Sequence, residues 1–111
     1  MDNQKSLQAC LDRCRECADE CAENAKHCMD AGLDECATLC NVAANACNRL
    51  IAEAKTNNDV FKDCANACKA CAEECDKQDN IHCTSCAESC RKCEQECNSM
   101  IKEMTGDTKG L

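Results

Sequence analysis

Cysteine recurs at steps of three and four along almost this whole chain, and that spacing admits one kind of fold. The block C-x-x-x-C-x-x-C-x-x-x-C occurs three times, at Cys10–Cys21, Cys64–Cys75 and Cys86–Cys97. With about 3.6 residues per turn, such steps keep returning to one stripe of an α-helix. A soluble helix ordinarily fills that stripe with Leu, Ile and Val. Here thiols take their place.

Four stripes follow from this register. The first holds Leu7, Cys10, Cys14, Cys17, Cys21, Asn24 and Cys28; the second holds Leu33, Cys36, Cys40, Ala43, Cys47, Leu50 and Ala54. The third holds Phe61, Cys64, Cys68, Cys71 and Cys75; the fourth holds Cys83, Cys86, Cys90, Cys93, Cys97, Met100 and Met104. All 17 cysteines lie on them. Breakers and caps predict helices over about 4–31, 33–54, 59–77 and 81–104. Asn3 or Ser6 starts the first, and Gly32 ends it as a C′ residue. Asn57, Asn58 and Asp59 are candidate caps for the third, and residues 105–111 are expected to form a flexible tail. Shifting the first helix by 54 and the second by 50 superposes most of their cysteines on those of the third and fourth. Two related hairpins with short loops predict an all-α, antiparallel up-down-up-down four-helix bundle. At 111 residues it is read as a single domain over 1–111.

A chain so rich in Cys could instead be a secreted disulfide scaffold. Three facts oppose that. The cysteine count is odd, so full pairing within one chain is impossible. There is no Pro and only three Gly, whereas such scaffolds are rich in loops. Cysteines four apart on a helix have Cβ atoms about 5–6 Å apart, and a disulfide wants roughly 3.5–4.5 Å.

Antiparallel topology sorts what remains into two ends. One collects Leu7, Leu50, Ile51, Val60, Phe61, Met100, Ile101 and Met104, an apolar plug. The other collects His27, Cys28, Met29, Cys36, Cys75, His82 and Cys83, a mouth lined with soft and borderline ligands. Met100 and Met104 are read as core.

Seventeen thiols on four stripes point to metal ligation, since Cys is poor core volume and oxidisable. Thiolates favour Cu(I), Zn(II) and iron–sulfur clusters. Zinc sites want four converging ligands, usually from loop knuckles, and no separate set of four stands out. Iron–sulfur sites draw on irregular loops, which the spacing lacks. Cu(I) is satisfied by two or three thiolates. Each Cu(I) replaces one thiol proton, so a filled core stays near neutral and holds roughly 15–20 ions. His27, His82 and Met29 are candidate mouth ligands. The rival readings are a zinc or heavy-metal buffer of metallothionein type and a thiol-redox helical chaperone.

The three cysteine blocks, with the pairs Cys36/Cys40 and Cys83/Cys86, resemble the four-helix-bundle copper storage proteins over about residues 7–104. Without an export signal at its start, the chain is similar to their cytosolic branch. The resemblance implies inward-pointing cysteines that bind many Cu(I) ions, His and Met contributions near an open end, and a homotetramer. Copper ions are then the partner, with a copper donor or acceptor protein possible. Asn24, Leu33, Ala43 and Leu50 interrupt the thiol stripes.

Net charge is −8 and the one aromatic residue is Phe61, which disfavours nucleic-acid binding. No apolar run approaches the roughly 20 residues of a membrane span. Free thiols fit a cytoplasmic setting. No phosphate loop or nucleophile–base arrangement stands out, so enzymatic activity is not expected.

Overall fold

The computed structural model describes residues 3–105, with side chains over 5–104. Four helices account for nearly all of it: α1 (Asn3–Asp30), α2 (Asp34–Glu53), α3 (Asp59–Asp76) and α4 (Ile81–Thr105). Thr105 closes α4, and the rest of the expected tail lies outside the described residues.

The connections explain where each helix stops. Gly32 has φ +77°, a left-handed conformation open to a residue without Cβ. Around it the Leu33 N–H donates to the Cys28 carbonyl at 2.7 Å, and the Gly32 N–H to the Met29 carbonyl at 3.1 Å. These two bonds form a Schellman motif and satisfy carbonyls the helix would leave orphaned. Before α3, Asn57 Oδ1 accepts from the Asp59 N–H at 3.0 Å; before α4, Asn80 Oδ1 accepts from the His82 N–H at 2.8 Å. Ser6 does not start α1. It lies within the helix, and its hydroxyl donates to Glu103 of α4 at 2.9 Å.

Sulfur contacts define the topology. Along α1 and α4, Cys10 meets Cys97, Cys14 meets Cys93 and Cys28 meets Cys83. Between α2 and α3, Cys47 meets Cys64, Cys40 meets Cys71 and Cys36 meets Cys75. Partner numbers fall as residue numbers rise, so neighbouring helices run antiparallel. Each helix packs on two neighbours, giving the up-down-up-down bundle. Alanines flank the thiol stripes: Ala18 and Ala25, Ala37 and Ala44, Ala65 and Ala72, and Ala87 are all buried. Their short side chains let the backbones approach, as a core of small thiols requires.

Leu50, Val60, Phe61 and Met100 are buried at one end, with Leu7, Ile51 and Ile101 packed around them. Met104, expected in this core, is 39% exposed. It sits beyond the last turn of α2, which ends at Glu53, and before the first turn of α3, so only the first turn of α1, where Ser6 meets Glu103, reaches its level. Ile81 at the other end is 79% exposed and does not help to close the mouth.

Candidate metal centre

Every cysteine of the chain is buried, and none is disulfide-bonded. The register brings their sulfurs into a continuous column. Contacts of 3.5 Å join Cys21 to Cys90, and 3.6 Å join Cys14 to Cys93, Cys47 to Cys64, Cys40 to Cys71 and Cys21 to Cys86.

Several four-thiol groups have all their sulfurs within 4.8 Å of one another: Cys14, Cys64, Cys93 and Cys97; Cys17, Cys47, Cys68 and Cys93; Cys21, Cys71, Cys86 and Cys90; and Cys40, Cys71, Cys75 and Cys86. Cys28, Cys36 and Cys40 form a three-thiol group near the mouth. Sets of four thus do form, which the spacing alone did not reveal. A tetrahedral ion with bonds of about 2.3 Å needs ligand sulfurs about 3.8 Å apart, so distance alone accommodates zinc. The groups overlap, however. Cys93 belongs to two, and Cys71 and Cys86 to two more. Such sharing suits bridging thiolates and clusters rather than isolated four-ligand ions.

The thiols also set one another's charge. Cys10 is drawn down to about 5 by hydrogen bonds from Cys14 and Cys97, and Cys40 is lowered chiefly by Cys71 and Cys75. Their neighbours move the other way. Cys14 is raised by its bond to Cys10, and Cys21 by Cys17. Burial pushes Cys28 up to about 11. Within each hydrogen-bonded pair the thiolate is thus favoured at one sulfur and opposed at the other, while burial opposes ionisation of the whole column. Each monovalent cation that replaces a proton leaves that balance intact.

Asn24 is, among the described residues, the one buried polar side chain. Its Nδ2 donates to Cys40 at 3.4 Å, Cys83 at 3.6 Å and Cys75 at 3.7 Å. At the same end the rings of His27 and His82 stack, with centroids 3.8 Å apart and planes 11° from parallel. Glu23 lies 3.9 Å from His27 Nε2. A pocket of about 250 Å³ holds both rings together with Glu20, Glu23, Asn24 and Ser85. Met29 is not brought to them. It is 64% exposed and lines a separate groove with Ala37, Thr38 and Asn41 of α2. Two residues beyond His27, it has turned about 200° around the helix.

In the sequence Asn24 shows only as an interruption of the thiol stripe, and the ligand pattern does not single out Glu20, Glu23 and Ser85. Their signal was a second 3–4 spacing, Glu20–Glu23–His27, displaced from the thiol stripe toward α4.

A family model described as copper storage protein (Csp) matches residues 2–102 of this chain. Among solved structures, the chain is similar to a cytosolic copper storage protein from Streptomyces lividans with five coppers. Identity is 29% and the TM-score 0.82, over 88% of this chain and 93% of that one. It is likewise similar to the Streptomyces lividans copper storage protein Ccsp loaded with 10 copper equivalents. Identity there is 30% and the TM-score 0.80, over 86% of this chain and 83% of that one. No protein of curated function matches it.

Proposed function

We propose, for a chain that belongs to the copper storage protein family, that its thiol column takes up many Cu(I) ions as cargo for cytosolic storage or sequestration. The observation that carries this reading is the sharing of Cys71, Cys86 and Cys93 between neighbouring four-thiol groups. Cu(I) is soft, takes low coordination numbers and tolerates bridging thiolates. Its single charge exchanges for one proton, so loading adds little buried charge. Tetrahedral Zn(II) would leave excess thiolate in the core, which burial penalises.

His27 and His82 receive copper at the mouth and pass it to the first thiols of the column, Cys83 among them. The remaining cysteines, from Cys75 down to Cys10, hold the store. Met29 lies away from this route, and its part in loading is limited to the α1–α2 groove. The protein performs no catalysis of its own. It exchanges copper with a donor or acceptor protein and assembles as a homotetramer, and a monomer in sedimentation analysis would remove that assembly.

Titrating the fully reduced protein with Cu(I) and Zn(II) against competing chelators tests the identity of the cargo. Cu(I) should displace Zn(II) throughout. Retention of about four tetrahedral Zn(II) ions in the presence of Cu(I) would make the protein a zinc buffer instead.

A further inference from the structure

A furrow follows the seam between α1 and α4. Its outer part is lined by Glu16, Asp19 and Ser89; Glu20 and Glu23 continue it into the pocket that holds His27 and His82. Asn24 also lines that pocket and is only 2% exposed. Behind it, its amide touches sulfurs of three different helices: Cys40 on α2, Cys75 on α3 and Cys83 on α4. Asn24 thus stands between the pocket and these three sulfurs. The grooves beside Met29 and beside Leu7 have no lining residue that touches a sulfur in this way.

We infer that Asn24 is the gate of this protein: copper enters sideways through the α1–α4 seam, and the Asn24 amide must leave its sulfur partners before an ion can reach them. Resting on the copper-storage reading, this adds to it a route and a positioning residue. The carboxylates of Glu20 and Glu23 gather cations at the entrance. The imidazoles take the ion there. The amide's hydrogen bonds, at 3.4–3.7 Å, go to sulfur, a weak acceptor, and its swing exposes Cys83, Cys75 and Cys40 together. Cys40 and Cys75 belong to the group with Cys71 and Cys86, so the ion emerges directly into the deeper column. Closed, the amide keeps water and larger reagents from thiolates that oxidise readily.

Asn24→Ala removes the gate, and Asn24→Leu replaces it with an apolar side chain of similar size that makes no hydrogen bond to sulfur yet fills the opening. Two readouts separate the inference from the reading beneath it. The first is stopped-flow transfer of Cu(I) from a chromophoric chelator into the reduced protein and back. The second needs no copper: native-state alkylation of the metal-free protein, with labelled cysteines mapped by peptide mass spectrometry. Asn24→Ala should speed transfer at least roughly fivefold, the change that the loss of one of these hydrogen bonds alone produces. It should also raise labelling of Cys83, Cys75 and Cys40 over Cys10. Asn24→Leu should slow both. A merely structural residue would not move the two substitutions in opposite directions. Circular dichroism checks folding, and Asn24→Ser substitutes if the alanine variant unfolds. Unchanged transfer and labelling in both variants would overturn the gate. So would the loss of one bound ion at unchanged rates, which would make Asn24 a ligand. Altered labelling in a protein that takes up no Cu(I) would keep the gate and remove the storage reading.

Discussion

The two halves of the bundle share one register and differ in what fills it. At the closed end the stripe positions are Leu50, Phe61 and Met100; above them they are Cys47, Cys64 and Cys97. Fully burying a Leu, Phe or Val side chain stabilises a fold by about 1.5–3 kcal/mol. A thiol buries less, yet offers a ligand atom. The fold is therefore anchored by a few large residues at one end, and the rest of the core is released for cargo. Stability and capacity occupy different lengths of the same helices.

Cutting into the plug should have the largest effect. Phe61→Ala should cost about 3–5 kcal/mol in urea unfolding of the reduced, metal-free protein, with the number of bound Cu(I) ions nearly unchanged. A cost near zero would break the comparison. Cys68→Ala, in mid-column, should cost only about 1 kcal/mol but lower the copper capacity. Equal costs at Phe61 and Cys68 would mean that the column also carries the fold.

Alkaline pH should weaken the thiol half alone. Burial holds Cys28 at about 11, above its ordinary value of 9.0. Below pH 9 it is protonated folded or unfolded, and its contribution is complete. Between about pH 9 and 11 the unfolded chain loses that proton first, so stability falls. Cys21 and Cys47, raised by their bonded neighbours, act in the same direction. Thermal unfolding under reductant should show the decline, and Cys28→Ala should make it shallower. A flat profile would place these thiols in contact with water.

Replacing both His27 and His82 by Ala should have the smallest effect on stability, within about 0.5 kcal/mol. Copper transfer should nevertheless slow, since the mouth loses its imidazoles. Unchanged transfer there, together with faster transfer in Phe61→Ala, would move the entrance to the other end.

Much of this was legible in the residues themselves. Steps of three and four fixed the thiol stripes because a helix has no other way to bury them together, and Gly32 marked its turn because α1 ends on a left-handed residue. Met104 misled because register reports which face a residue occupies, not how many of the other helices reach that level. Met29 misled in the complementary way: it shares the mouth's level with His27 but points to another seam. The contacts of Asn24 were beyond periodicity. They depend on α2, α3 and α4 converging at one height, which no single stripe reveals. The overlap of the four-thiol groups is a property of the packed bundle for the same reason.

Native mass spectrometry of the fully reduced protein at Cu(I) saturation tests the central claim most directly, because it counts ions per chain. A column of shared thiolates predicts roughly 15–20 Cu(I) on a chain with no disulfides. Saturation at about four to seven ions would contradict it, since that number belongs to separate four-thiolate sites.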